Sequence, residues 1–111
     1  MADVCDLTCT TCRADAPTLD RATAETTLAQ LHPDWTLSED GGTLVRDLRF
    51  KGFAKASHAA SLAAFISDQQ GHHADIAFGW GYCRVTWTSH EAGGLTENDV
   101  ICAARLDRAL A

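Results

Sequence analysis

The sequence predicts an α+β fold, a two-layer sandwich in which one four-stranded antiparallel sheet carries helices packed on one face. Three observations lead there. Residues 43–50 alternate, with Leu44, Leu48 and Phe50 on one side and Val45, Asp47 and Arg49 on the other, which is the period of a half-buried strand. Residues 53–70 change to helical spacing, with Phe53, Ala56, Ala60, Ala63 and Ala64 recurring on a face that Leu62, Phe65 and Ile66 broaden. The order of elements is helix, two strands, helix, two strands, helix. Short strands joined by hairpin-like turns favour antiparallel pairing, with the helices collected on one side.

Residues 1–17 are polar, rich in Cys and Thr, and end at Pro17, so they read as a tail or extended arm ahead of a domain spanning 18–111. Thr18 is a plausible N-cap for a first helix running to about Leu31, with Leu19, Ala22, Leu28 and Leu31 near one face. His32-Pro33-Asp34 stops it, because the residue before a proline is pushed out of the helical region. A short strand over Trp35–Ser38 and the turn Glu39-Asp40-Gly41-Gly42 lead into the strand over 43–50. The second helix ends at Gly71. Strands through Ile76–Trp80 and Cys83–Ser89 follow, and Gly93-Gly94 precedes a last helix from about Glu97 to Leu110.

The bulk properties exclude several classes. The chain has 111 residues, enough for one domain, and 46% of them are hydrophobic. A formal net charge of −6 and the lack of any Lys/Arg run argue against nucleic-acid binding through phosphate neutralisation. No apolar stretch is long enough to span a bilayer, and the N-terminus lacks the basic and apolar regions of a signal peptide. Five cysteines, an odd number, do not make a fully paired disulfide framework. Cytoplasm is the expected location.

Three histidines stand at element junctions: His72 and His73 after the second helix, and His90 after the last strand. An antiparallel sheet can bring those junctions together, and imidazole is the side chain best suited to give and take protons near neutral pH. Asp68, one turn before His72, could orient it. The plainer alternative makes the His-His pair a solvated helix cap. Thr96-Glu97-Asn98-Asp99 has the form of a capping box, a role compatible with chemistry at Asp99. Cys5, Cys9 and Cys12 form a C-x3-C-x2-C run, read as a reduced or loosely metal-binding tail, while Cys83 and Cys102 read as small buried hydrophobes. Trp35, Trp80 and Trp87 fall in strands, where one of them could pack against a flat heterocycle.

The segment Asp68-Gln69-Gln70-Gly71-His72-His73-Ala74-Asp75-Ile76, then Trp80, then Thr88-Ser89-His90-Glu91 and on to Asp99, resembles the signature of the pterin-4a-carbinolamine dehydratase family. The likeness covers about residues 18–110. Ala74 stands where the family usually has proline, which loosens the turn, and Asp68 stands where many members have Glu. The resemblance implies loss of water from 4a-hydroxytetrahydropterin to give quinonoid dihydropterin, with no metal or other cofactor. It implies His72 and His90 as the acid/base pair, His73 as an assisting residue and Asp99 as the group that tunes them. Thr88, Ser89 and Glu91 would bind the pterin edge, with Asp68, Gly71 and Trp35 completing the substrate-binding set. It further implies a homodimer or homotetramer. An aromatic amino-acid hydroxylase is then the implied partner process. The alternative within the family is a non-catalytic binding protein, such as a dimerisation coactivator or a carboxysome-associated assembly factor for Rubisco.

Overall fold

The computed structural model describes residues 4–10 and 13–111 of the chain, and Cys12 lies outside them. After a 3-10 turn at Val4–Asp6 come α1 (Arg21–Leu28), β1 (Trp35–Leu37), β2 (Leu44–Arg49), α2 (Phe53–Gln70), β3 (Asp75–Gly79), β4 (Tyr82–Trp87) and α3 (Glu97–Leu110). The four strands form one antiparallel sheet in the order β1-β2-β4-β3. With α2 and α3 packed on it, the architecture is the predicted α+β sandwich.

Register decides what faces the core. Leu44 pairs with Trp87, Arg46 with Val85 and Leu48 with Cys83, while Ile76 meets Val85 from the other side. Because side chains alternate along a strand, these positions share one face. Trp87, Val85 and Cys83 are wholly buried there against Ala59, Ala63, Ile66 and the α3 residues Val100, Ala103 and Leu106. The alanines of α2 serve a purpose: small side chains let the helix backbone lie close to the sheet. Phe65, expected on that apolar face, points outward and is 63% exposed.

Element ends differ from the sequence reading for identifiable reasons. The first helix begins later than Thr18, because Leu19 N–H is taken by the Leu95 carbonyl at 2.8 Å and holds the chain extended. Asp20 is the cap instead, its carboxylate accepting from Thr23 N–H at 2.7 Å. That helix stops at Leu28, with tight turns carrying the chain on to Pro33. Trp80 leaves β3 and sits with Gly81 at the tip of the β3–β4 hairpin, 72% exposed. Gly81 has φ +84° there, a conformation that glycine adopts without strain.

Arg46 occupies the inward face of β2 between Leu44 and Leu48, a charged side chain among apolar ones. Its guanidinium donates to Asp107 Oδ1 at 2.6 Å, the same oxygen that accepts from Trp35 Nε1–H at 2.7 Å. Asp107 Oδ2 accepts from His32 N–H at 2.9 Å. One carboxylate on α3 thus fixes β2, β1 and the loop before β1. Breaking a buried pair from one side leaves an uncompensated charge and costs about 3–5 kcal/mol. Asp107→Ala is therefore expected to lower the unfolding free energy by about 3 kcal/mol. Arg46→Met should cost clearly less, since Asp107 keeps its other two donors. Urea unfolding of both variants checks this, and equal losses would refute the ranking.

Candidate active site

Gly71 closes α2 in the left-handed conformation, with φ +65°, and turns the chain so that His72 and His73 leave the helix axis. The turn is pinned by Ser67. Its carbonyl accepts from His72 N–H at 3.1 Å, and its hydroxyl accepts from Ala74 N–H at 3.2 Å while donating to Ala63 O at 2.8 Å. Ala74 thus supplies an N–H that a proline would lack, and Ser67 uses it to hold the turn.

The second junction lies after β4. Trp87 ends the strand, Thr88 Oγ1 donates to Gly42 O at 2.6 Å, and Ser89 bridges to Gly94 across a tight loop that carries His90 and Glu91. The two junctions converge at the N-terminus of α3. There Thr96 and Asp99 form the reciprocal capping box, with Thr96 N–H donating to Asp99 Oδ2 at 2.9 Å. Ser89 Oγ–H donates to the same oxygen at 2.7 Å. The other oxygen, Oδ1, lies 2.5 Å from His72 Nε2. The Trp87 indole flanks the His72 imidazole, with ring centroids 5.7 Å apart and planes inclined by 15°.

His72 and Asp99 are both buried, Asp99 completely. Burial pushes the His72 pKa down, but the hydrogen bond and negative charge of Asp99, with smaller help from Cys9 and Glu91, outweigh it and hold the pKa above the ordinary 6.5. In front of this pair lies a cleft of about 130 Å³. It is lined by His72, His73, Thr88, Ser89, His90, Glu91 and Asn98, and by Arg13 and Ala16 of the N-terminal arm. His90 is largely exposed and stands 3.6 Å from Asp75 Oδ2.

The structure therefore brings together His72, His73, His90, Thr88, Ser89 and Glu91 around one cleft, with Asp99 immediately behind it. Three of the candidates lie elsewhere or act differently. Trp35 is not at the cleft: it begins β1, where it is buried and bonded to Asp107. Asp68 is exposed on α2, and the acid that holds His72 is Asp99. Gly71 shapes the turn. Trp87 is the tryptophan beside the histidines, and its place was legible only as one of three. Arg13, Ala16 and Asn98 gave no signal in the sequence, because the arm reaches the cleft through contacts far along the chain. Among the described residues, no group of three His, Cys, Asp or Glu is placed to hold a metal ion. Nor is any described helix long and apolar enough to cross a membrane.

Known proteins resemble this chain in sequence and in fold. The sequence profile of the pterin 4 alpha carbinolamine dehydratase family matches residues 17–109. A protein of Paracoccus denitrificans, provisionally assigned as a pterin-4-alpha-carbinolamine dehydratase, is 49% identical over 94 residues, covering 85% of this chain and 87% of its own. A similarly assigned protein of Aromatoleum aromaticum is 44% identical, covering 90% of this chain and 88% of its own. The crystal structure of a transcriptional coactivator/pterin dehydratase from Brucella melitensis superposes with a TM-score of 0.78 at 22% identity, covering 86% of this chain and all of that one, a likeness of fold. The chain thus belongs to the pterin 4 alpha carbinolamine dehydratase family.

Proposed function

We propose that this chain dehydrates 4a-hydroxytetrahydropterin to quinonoid dihydropterin by histidine general acid/base catalysis, in the recycling of a tetrahydrobiopterin-type cofactor. The observation that carries the reading is the buried His72–Asp99 pair at the wall of a cleft that also presents His90. In the reaction the C4a–O bond breaks and the hydroxyl leaves as water. The N5–H proton is lost and its electron pair forms the C4a=N5 double bond. His72, whose protonated form Asp99 favours, gives a proton to the departing hydroxyl. His90, at the solvent-facing rim, accepts the proton from N5 and returns it to solvent. His73 assists at the same rim. The Ser89, Thr88 and Glu91 segment and the cleft-facing backbone hold the pterin's amide edge, and Trp87 stiffens the His72 ring from behind. The scheme assigns no step to a metal or cofactor.

In the alternative, a binding protein on the same fold, the His72–Asp99 pair would serve only to join the turn after α2 to α3; the cleft that presents His73 and His90 beside that pair favours the enzyme. Assembly as a homodimer or homotetramer in the cytoplasm belongs to the same proposal.

Positioned acid/base groups contribute about 100- to 10,000-fold. The His72→Ala, His90→Ala double variant is expected to lose at least about 100-fold in kcat/KM for freshly prepared 4a-hydroxytetrahydropterin. Stopped-flow absorbance measures this against the spontaneous rate, and a double variant as fast as the wild type would end the proposal.

The pH dependence follows from the direction of the His72 shift. A histidine whose pKa is raised by folding contributes stability that is complete below its unfolded value, about 6.5, and lost as pH rises through the folded value. Activity that needs the imidazolium falls over the same upper limb. Asp99→Asn keeps a capping oxygen but removes the charge, so the His72 titration seen by NMR should move down and the activity limb with it. An unmoved titration would show that Asp99 does not set the charge on His72.

A further inference from the structure

The N-terminal arm is bonded to the domain at several points. Arg105 donates through Nε to Leu7 O at 2.9 Å, and Cys9 N–H donates to Gln70 Oε1 at 2.9 Å. Thr10 and Asn98 exchange two bonds, Thr10 N–H to Asn98 Oδ1 at 3.0 Å and Asn98 Nδ2–H to Thr10 O at 2.9 Å. This clamp places Cys9 Sγ 3.5 Å from Cys102 Sγ, two thiols separated by 93 positions in the sequence. Cys102 is fully buried on α3, three residues after Asp99, and Cys9 is partly open to solvent.

We propose that Cys9 and Cys102 are an oxidisable pair, and that their disulfide fastens the N-terminal arm to α3 beside the cleft. A disulfide bond is about 2.05 Å long, so closure requires the sulfurs to approach by about 1.5 Å. The Cys9 side can supply that movement, since the arm is held by hydrogen bonds rather than by a core of its own. The chemistry also assigns the order of events. Cys9 is the sulfur that solvent reaches, and its pKa is lowered from the ordinary 9.0 mainly by the hydrogen bond it shares with Cys102, with His72 and Arg105 adding to this and burial and Asp99 opposing it. Cys102 is shifted upward by its hydrogen bond to Cys9 and by burial. Cys9, the partner open to solvent, is thus the attacking sulfur and the fully buried Cys102 the resolving one.

With hydrogen peroxide as oxidant, Cys9 thiolate attacks one peroxide oxygen. The S–O bond forms, the O–O bond breaks, and hydroxide leaves to become water, giving Cys9 sulfenic acid. Cys102 sulfur then attacks the Cys9 sulfur, the S–S bond forms, and the S–O bond breaks with loss of a second water that carries the Cys102 proton. Two thiols are oxidised and one peroxide is reduced to two waters.

The consequence reaches the cleft, because Arg13 and Ala16 of the same arm line it and Asn98, which clamps Thr10, lines it too. Oxidation converts a hydrogen-bonded rim into a covalently tethered one. The neighbouring Cys5 and Cys12 could take part in exchange, so the test uses the full-length Cys5→Ala, Cys12→Ala double variant, folded and treated with hydrogen peroxide. The expected result is a loss of two hydrogens in the intact mass, reversed by dithiothreitol, with a tryptic link between peptides 1–13 and 85–105. Adding Cys9→Ser should abolish the link, and wild type should give the same pair of joined peptides. Trypsin cleavage after Arg13 in the folded protein should slow severalfold on oxidation. The proposal is overturned if Cys9 proceeds to sulfinic acid while Cys102 remains alkylatable after unfolding, or if the link forms only in urea. None of these readouts depends on pterin turnover.

Discussion

At the N-terminus of α3 sits a carboxylate with no solvent-accessible surface, and the geometry of the cleft depends on how Asp99 is satisfied there. An isolated carboxylate would not remain ionised in such a place. Asp99 has four sources of compensation: the Thr96 amide, the Ser89 hydroxyl, the His72 ring and the N-terminal end of the helix itself. These come from three separate parts of the chain: the turn after α2, the loop after β4 and the start of α3. The charge can be buried only if all three are in place, so one side chain joins the ends of those elements. Different oxygens of one carboxylate meet the helix and the histidine, Oδ2 the Thr96 amide and Oδ1 the His72 ring.

The same logic separates His72 from His90. Both are imidazoles on the rim of one cleft, and side-chain type alone would give them the same chemistry. Their surroundings differ: His72 is enclosed by Trp87 and faces a buried anion, whereas His90 is largely in water beside the exposed Asp75. A buried imidazole facing a fixed negative charge favours the cation, and one open to solvent exchanges protons freely. In the proposed scheme the division between donor and acceptor is therefore a matter of burial, as it is for paired carboxylates in other enzymes.

Much of this could be read from the residues, and the gaps have physical causes. Alternation in 43–50 and helical spacing in 53–70 were enough to place β2 and α2, because both patterns are imposed by a single buried face. The capping box at Thr96 and Asp99 was visible for the same local reason. What local pattern cannot carry is partnership across the chain. Asp68 had the right spacing to meet His72 along a helix, yet Gly71 takes His72 off the helix axis and Asp99, 27 positions away, receives it instead. Arg46 betrayed itself only as a charge at an inward register position, and its partner Asp107 lies 61 residues downstream. Trp35 resembled a site residue by its aromatic character, but the pairing of β1 with β2 at the sheet edge puts it against Asp107 rather than the cleft.

The arm illustrates how a segment with little core of its own can still matter to a site. Its polar composition argued for a tail, yet Val4, Cys5 and Cys9 pack against the core. Its placement comes from hydrogen bonds to side chains whose positions the domain has already fixed, Gln70 at the end of α2 and Asn98 and Arg105 on α3. Such bonds contribute only about 0.5–1.5 kcal/mol each, net of competition with water. A rim held this way is open to control by anything that adds or removes a tether, whereas the buried charge pair behind it is committed once the three elements meet. The cleft thus combines a wall set by the buried Asp99 with an edge set by an arm that hydrogen bonds hold in place.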